Sequence, residues 1–246
     1  GGIYAGDVDR LSVRATFPYL ADLERRHGSL IAGMRAQRSG GVAAGNSRPP
    51  MFLTLRGGVG VLVDRLAASL TATTILTGRP VRAIARTDHA NPRDGYTVHL
   101  DGGVLRADAL ILATPAPAAA DLLSEVSPQA ATLLRQIPYV STAVVALGYR
   151  RSDVVSPMRG HGFVVARGEA VRITACTWVS SKWPGCAPPD HVLLRCYLGK
   201  AGDESASDLD DDALISLVRD DLRTTMGIAA EPALVRVYRW KAAMPQ

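Results

Sequence analysis

Two runs of β-branched and aromatic residues, joined by a connection rich in Pro and Gly, constrain the fold of this chain most. The first run covers residues 172–178, the second covers residues 194–198, and Lys182-Trp183-Pro184 lies between them. Such runs, separated by turn-forming residues, predict a strand, a loop and a second strand. Two Trp and one Tyr fall within this stretch, although only 5% of the chain is aromatic. This crowding favours a hydrophobic core, with a flat apolar ligand pocket as the alternative.

Composition predicts a globular protein without a nucleic-acid-binding surface. The chain has 246 residues, 47% of them hydrophobic, which is enough for one large or two small domains. Its net charge of +5 comes from 25 Arg and three Lys against 23 acidic residues. Because the arginines are scattered rather than clustered, they do not resemble the footprint of a DNA- or RNA-binding protein.

The three cysteines, Cys176, Cys186 and Cys196, lie ten residues apart. They lack the Cys-x-x-Cys spacing of a zinc site, and no pair of histidines accompanies them. We therefore predict no metal site, and three buried free thiols in a reducing compartment. The sequence contains no apolar run of about 18 residues, the length of a membrane span, and no secretory signal at its start.

The first 37 residues predict short helices. Asp7 is a candidate cap for the first helix, Pro18 suits the first turn of the second, and Ser29 can cap a third. Residues 38–50 have the composition of a flexible linker.

After the linker, residues 52–55 predict a strand, residues 56–60 a Gly-rich turn, and residues 61–70 a helix. Leu62, Val63, Leu66 and Leu70 form the apolar stripe of that helix, and we expect them to face inward. The Gly-x-Gly turn is no dinucleotide-binding fingerprint, because Val63 stands where the third glycine belongs.

Further strands are predicted from alternation and from turn residues. The segment 109–113 is apolar throughout, as expected of a strand buried on both faces. One helix is predicted over residues 209–226, with Ser207 and Asp208 as caps and Gly227 at its end. Its predicted buried stripe consists of Leu214, Leu217, Val218 and Leu222. The other predicted strands cover residues 81–85, 96–100, 104–107, 140–149, 162–166, 172–178, 192–199 and 233–238.

Three phrases of the sequence resemble one enzyme family. They are Ile173-Thr174-Ala175-Cys176-Thr177-Trp178, Lys182-Trp183-Pro184 and Gly199-Lys200-Ala201-Gly202-Asp203-Glu204-Ser205. All three resemble the substrate-binding domain of the bacterial porphyrinogen oxidases, which are FAD enzymes of the flavin amine-oxidase superfamily. The resemblance implies an α/β (α+β) fold, with a partial doubly wound FAD-binding domain and an antiparallel-sheet substrate-binding domain with helices.

The resemblance also implies a division of the chain into domains. Residues 1–37 would be the helical part of the substrate domain, which faces the membrane, and residues 38–50 the linker. Residues 51–115 would be the second part of the FAD-binding domain, and residues 116–240 the substrate-binding domain. Residues 241–246 would begin the return to the FAD-binding domain.

Site residues follow from the same resemblance. Val81 would contact the FAD adenine through its backbone, and Trp240 would contact the flavin. Ile3, Gly6 and Tyr197 would border the substrate. No catalytic acid or base is implied. Four basic residues near the phrases are candidates for binding substrate propionates, with solvated surface charges as the equal alternative: Arg172, Lys182, Arg195 and Lys200.

The implied reaction is oxidation of coproporphyrinogen III, or of protoporphyrinogen IX, to the porphyrin in haem biosynthesis, with oxygen as acceptor. A chelatase that receives the product is an implied partner, and the implied location is the cytoplasm, with peripheral contact at the inner face of the cell membrane. Two alternatives stay open: another flavin amine-oxidase-like enzyme, such as a desaturase or polyamine oxidase, and a non-catalytic porphyrin-binding protein. The chain starts without Met and stops within a family phrase, so we expect an internal fragment that is inactive alone.

Overall fold

The computed structural model describes residues 5–7, 9–39, 53–87 and 95–246. The chain forms two compact units, which we describe separately. The first comprises Gly1–Thr54, Val140–Met244 and Gln246, and the second comprises Leu55–Tyr139 and Pro245. Residues 116–139 thus cluster with the second unit, whereas the domain prediction placed them in the substrate domain. Which unit serves which function stays a prediction.

The second unit contains a small antiparallel sheet and three helices. Its helices are α4 (Gly60–Ser69), α5 (Ala116–Leu123) and α6 (Pro128–Arg135), and its strands are β1 (Val81–Arg86), β2 (Tyr96–Leu100) and β3 (Gly103–Ala107). The strands lie in the order β1-β2-β3. Ile84 lies opposite Val98 in this register and both are buried, so one face of the sheet is packed.

Two predictions for this unit are wrong, and so is the prediction for residues 53–55, where the chain passes from the first unit into the second. Residues 53–55 and 109–113 form no strands, and Leu53 and Ile111 are 82% and 90% exposed. The apolar stripe of α4, predicted to face inward, is also exposed; it consists of Leu62, Val63, Leu66 and Leu70. The physical reason is the same in each case. A strand needs a neighbouring strand and an apolar helix face needs a covering layer, and the described residues of this unit place none beside these segments.

The first unit begins with three helices, α1 (Val13–Thr16), α2 (Pro18–His27) and α3 (Leu30–Ser39). The prediction for Pro18 is confirmed, since it is the first residue of α2. Ser29 caps α3 as predicted, because its hydroxyl accepts the N–H of Ala32 at 3.4 Å. Asp7 caps no described helix: Ser12 caps α1, and the Asp7 carboxylate instead accepts the N–H of Asp9 in a turn.

The centre of the first unit is a five-stranded sheet in the order β5-β6-β7-β4-β8. Pairing is antiparallel from β5 through β4. β8 also runs antiparallel to β4, because the Gly148 carbonyl accepts the N–H of Ala233, and the Ser141 hydroxyl accepts that of Ala242. This confirms the predicted antiparallel sheet with helices. The strands are β4 (Tyr139–Arg150), β5 (Gly162–Val164), β6 (Ala175–Trp178), β7 (His191–Leu198) and β8 (Leu234–Pro245).

One face of this sheet carries the hydrophobic core. Every second residue of the two central strands is buried on this face: Ala143, Val145, Leu147 and Tyr149 of β4, and Val192, Leu194, Cys196 and Leu198 of β7. Helix α8 (Asp211–Met226) covers them with Leu214, Val218 and Leu222. Burial of this face removes the apolar side chains from water and fixes the register, because a slip by one residue would turn them outward.

The predicted helix α8 is confirmed, with one correction at its start. Asp210, not Ser207 or Asp208, is the cap, and its carboxylate accepts the N–H of Ala213 at 2.8 Å. The earlier residues form a short 3-10 turn, Ser205–Asp208. Gly227 ends the helix in the left-handed region, with φ of 68°. A short helix α7 (Val179–Lys182) follows β6.

All three cysteines are free, but only two are buried as predicted. Cys176 and Cys196 lie opposite each other on β6 and β7, on the core face. Cys186 is exposed, because it lies in the turn-rich connection outside the sheet. Across the described ranges, no helix has the length and apolarity to cross a membrane, and no three His, Cys, Asp or Glu side chains cluster as metal ligands.

Candidate functional site on the open face of the sheet

The face of the sheet opposite the core holds a pocket of about 660 Å³, within the range of about 300–1,000 Å³ usual for small-molecule sites. Its floor comes from three neighbouring strands. Alternation along each strand explains the set, because the residues between the core positions point to the other face. The floor residues are Thr142, Val144 and Ala146 of β4, Leu193, Arg195 and Tyr197 of β7, and Tyr238 and Trp240 of β8.

Strand register places these floor residues side by side. Val144 pairs with Tyr197, and Ala146 pairs with Arg195. On the other side of β7, Ala175 pairs with Tyr197 and Thr177 with Arg195. Tyr197 and Arg195 therefore lie on the central strand of the sheet, with small or apolar side chains around them.

Residues from loops, from α7 and from the end of β8 complete the pocket. Ala5, Thr174, Val179, Gly199, Ala243 and Met244 line its walls. The Ala5 carbonyl accepts the N–H of Ala201 at 2.7 Å, which joins the first turn of the chain to the loop after β7. Thr174 donates from both its amide, at 2.8 Å, and its hydroxyl, at 3.2 Å, to the carbonyl of Tyr197. These bonds hold the wall segments against the sheet.

Two non-glycine residues at the edge of the pocket have left-handed backbone conformations. Ala5, a wall residue, has φ of 53°, and Ala242, next to the wall residue Ala243, has φ of 43°. Such conformations are unfavourable for residues with a Cβ and concentrate at functional sites. Their position beside this cavity supports its assignment as the functional site.

Arg195 is the only charged residue among the described residues that line the pocket. Its guanidinium lies 3.5 Å from the Tyr197 hydroxyl. Since the remaining lining is neutral, the pocket offers apolar and aromatic surface together with one positive charge. No carboxylate or imidazole of the described lining is in place to act as a general acid or base.

The other three basic candidates do not line this cavity. Arg172 donates to the Ser205 hydroxyl at 2.9 Å and lies 3.8 Å from the Asp203 carboxylate. The Lys182 ammonium lies 5.4 Å from the centre of the Trp183 ring, and Lys200 forms a β-bridge with Asp203. Of the four basic candidates, Arg195 is therefore the one that lines this pocket.

The structure brings some of the predicted site residues together. Tyr197 and Trp240 line the same pocket. Gly6 is buried directly after the wall residue Ala5, and a Cβ there would lie 2.8 Å from Leu11, so its close packing is explained without a ligand. Ile3 lies outside the described residues. Their roles in binding stay predictions.

Val81 belongs to the other unit, at the start of β1 and opposite Leu100. The register shifts between Val81 and Ala83. Among the described strands, β1 has a neighbour on one side only, so outward backbone groups there remain open to a ligand.

Sequence reasoning missed Tyr238 and the β4 floor of the pocket. The signal for Tyr238 was present, because it lies two residues before Trp240 and strand alternation puts both on one face. For Thr142, Val144 and Ala146 the signal was weak, since small and apolar residues alternate with equally apolar core positions on β4.

The chain belongs to the flavin containing amine oxidoreductase family, whose model matches residues 1–246. This membership confirms the predicted superfamily, and the described helices and antiparallel sheets agree with the predicted mixed fold.

Curated relatives show which proteins of this family the chain is similar to. The chain is 40% identical over 248 residues to the coproporphyrinogen III oxidase of Bacillus subtilis (strain 168), covering 100% of this chain and 51% of that protein. It is 31% identical to the coproporphyrinogen III oxidase of Staphylococcus aureus (strain NCTC 8325 / PS 47), covering 100% of this chain and 53% of that protein. The chain therefore spans about half the length of these relatives.

Solved structures are similar to the chain in their fold. A crystal structure from Exiguobacterium sp. 255-15, named provisionally as a protoporphyrinogen oxidase, matches with a TM-score of 0.82 and 34% identity, over 99% of this chain and 50% of that one. Cyclohexylamine oxidase from Brevibacterium oxydans IH-35A matches with a TM-score of 0.58 and 18% identity, over 74% of this chain and 38% of that one. The second similarity concerns the fold alone.

Proposed function

We propose that the protein containing this chain is an FAD-dependent porphyrinogen oxidase that converts coproporphyrinogen III to coproporphyrin III. Two observations support the proposal. The chain is 40% identical over its whole length to a coproporphyrinogen III oxidase, and it has an apolar and aromatic pocket on the open face of its large sheet. A flat macrocycle suits such a pocket because aromatic side chains can stack on it.

The residues present fit a flavin. Trp240 is 53% exposed in this pocket, so its indole surface is available to a ring system, and Val81 offers backbone groups at a sheet edge. We propose that Trp240 contacts the flavin and that Val81 contacts the adenine. When bound, FAD would supply the hydride-accepting and oxygen-dependent redox chemistry.

The protein itself would bind and orient the substrate. We propose that the Tyr197 ring packs against the macrocycle, and that the turn with Ile3 and Gly6 closes one side. No titratable acid or base is needed from the described lining, because the redox chemistry is that of the cofactor; the walls exclude water and fix the substrate.

The same proposal includes the roles of the two units, the electron acceptor, the partner and the location of the enzyme. The five-stranded sheet with residues 1–37 would form the substrate domain, and the small sheet would be part of the FAD-binding domain. Oxygen would be the electron acceptor, and a chelatase would receive the product. The enzyme would work in the cytoplasm, in peripheral contact with the membrane. Protoporphyrinogen IX is the second candidate substrate, because one structural relative at 34% identity is named for that activity.

The test uses the intact protein that contains this chain. We expect it to purify with the absorption spectrum of bound flavin, and to convert coproporphyrinogen III to its fluorescent porphyrin faster than protoporphyrinogen IX, with oxygen consumption. Flavin binding combined with turnover of a polyamine or a carotenoid, and none of a porphyrinogen, would favour another flavin oxidase. Porphyrin binding without flavin would favour a non-catalytic role.

A further inference from the structure

We propose that Arg195 binds a carboxylate of the substrate and thereby selects for a porphyrinogen with many carboxylates. This inference rests on the proposed function and assigns one residue of the pocket as a determinant of specificity. It starts from the position of a charged side chain on the central strand of the sheet.

Every neighbour of Arg195 within the sheet is uncharged. Leu193 and Tyr197 flank it on the same face of β7. Ala146 lies across from it on β4, and Thr177 lies across from it on β6. An opposite charge at one of these positions would stabilise the guanidinium within the sheet. None of the four supplies one.

Several other arginines of the same unit lie with the guanidinium against a carboxylate. The pairs are Arg167 with Asp7, Arg172 with Asp203, Arg219 with Glu231, and Arg239 with Asp211. Arg195 makes no such ion pair with any residue that the structure describes, and its side chain reaches only the Tyr197 hydroxyl, at 3.5 Å.

An apolar ligand alone would leave this charge uncompensated when it covers the pocket. Removing a guanidinium from water without an anionic partner is costly, whereas a carboxylate can occupy its planar fork with two parallel hydrogen bonds. A ligand that combines a flat apolar body with a peripheral carboxylate therefore complements both features of the pocket. Coproporphyrinogen III has a propionate on each of its four pyrrole rings, whereas protoporphyrinogen IX has one on only two of them, so a single guanidinium faces a carboxylate in more orientations of the former.

The test is a binding titration with the full-length, flavin-loaded enzyme. The ligands are coproporphyrin III and its tetramethyl ester, which keeps the ring and removes every negative charge. The variants are Arg195→Met and, as a control, Arg223→Met. Arg223 lies on α8 and pairs with Asp220 on the surface, so its removal changes the net charge equally without touching the pocket.

We expect Arg195→Met to weaken binding of coproporphyrin III by about tenfold to a hundredfold, the usual effect of losing a charge-assisted contact. Binding of the ester should change less than threefold, and Arg223→Met should leave both affinities unchanged. In turnover, KM for coproporphyrinogen III should rise more than KM for protoporphyrinogen IX, with kcat nearly constant. Arg195→Lys should recover part of the lost affinity, because Lys keeps the positive charge but lacks the planar guanidinium that forms two parallel hydrogen bonds.

Equal affinity of wild type and Arg195→Met for coproporphyrin III would overturn the inference, and so would an equal loss for acid and ester. Either result would leave the proposed function intact if the wild-type enzyme still oxidises coproporphyrinogen III. Failure of the proposed function would appear separately, as a wild-type protein that holds flavin and oxidises no porphyrinogen.

Discussion

The carboxylate of Glu204 accepts the backbone N–H of Ser141, with 2.5 Å between Oε2 and N. This bond ties the loop after β7 to the start of β4. The Ser141 hydroxyl in turn accepts the N–H of Ala242 on β8 at 3.0 Å. Glu204, which belongs to the sequence phrase 199–205, thus helps to hold together three segments around the pocket. The sequence alone did not reveal this structural role.

Removing the acceptor should destabilise this junction. In the intact protein, we expect Glu204→Met to lower the free energy of unfolding by about 1–3 kcal/mol, because the Ser141 N–H loses a charged acceptor. Glu204→Gln keeps an acceptor oxygen and should cost less. Urea unfolding of both variants measures the difference. Equal stability of Glu204→Met and wild type would show that water satisfies the Ser141 amide.

The adjoining glycine should be irreplaceable for steric reasons. Gly199 has φ of 88°, and a Cβ there would lie 2.5 Å from the Ser141 carbonyl oxygen. Gly202 has a similar φ of 84°, with nothing within 4 Å of its Cβ position. Gly199→Ala and Gly202→Ala therefore share the backbone strain, of about 1–2 kcal/mol, and only the former adds a clash.

We expect Gly199→Ala to lower the melting temperature clearly further than Gly202→Ala, and to weaken porphyrin binding as well, because Gly199 lines the pocket. Thermal unfolding and porphyrin titration of the two variants provide the comparison. Similar melting temperatures would mean that the loop moves away from Ser141 without cost.

Local signals predicted the interior of the first unit well. In α8, the 3.6-residue period predicted a buried stripe of Leu214, Leu217, Val218 and Leu222; three of them are buried, and Leu217 is partly buried against the same core. In β7, period-2 alternation puts Arg195 and Tyr197 on one face and the buried Leu194, Cys196 and Leu198 on the other. Both patterns depend on burial against partners within the same unit, so the sequence contains all the information they need.

The failures arise where burial depends on partners that the described residues do not provide. Ile111 and Leu66 belong to apolar patterns as clear as that of α8, yet both are exposed. An apolar pattern indicates that a residue is buried in the folded protein, but it does not indicate which segment buries it. The pocket was only half predicted for a related reason: Tyr197 and Trp240 came from a family resemblance, whereas Val144 became visible only when strand register placed it beside Tyr197.

Trp240 should matter for flavin and little for the stability of the apoprotein. Because its side chain is 53% exposed, Trp240→Ala should cost the apo form far less than the roughly 3–5 kcal/mol of a buried aromatic deletion. Flavin retained through gel filtration should fall markedly. Tyr238→Ala removes a ring of similar exposure, 52%, from the same face and provides the comparison. An apo destabilisation of several kcal/mol would identify Trp240 as a core residue.

Tyr197 should act through its ring rather than through its hydroxyl. Stacking and apolar contact do not need the hydroxyl, so Tyr197→Phe should leave turnover nearly unchanged, whereas Tyr197→Ala should weaken substrate binding by about 1–2 kcal/mol. Steady-state kinetics of both variants with coproporphyrinogen III measure this. Loss of activity in the Phe variant would assign a role to the hydroxyl, and wild-type behaviour of the Ala variant would place the ring in solvent.

The three cysteines should differ sharply in reactivity. The thiolate is the reactive form, and the pKa of Cys196 is raised well above its usual value, first by its hydrogen bond with Cys176 and then by burial. In the native protein at pH 8, iodoacetamide should therefore modify Cys186, which is exposed, and leave Cys176 and Cys196 unmodified.

Cys196 should stay protected when the pH is raised to about 9.5, because its pKa in the folded state lies above the pH at which an unfolded thiol ionises. In urea all three should react. Mass spectrometry of the peptides that contain each cysteine gives the three alkylation rates separately. The variant Cys186→Ser should lack the fast alkylation. Alkylation of Cys196 at a rate close to that of Cys186 in the folded protein would show that the core face of β7 opens readily to solvent.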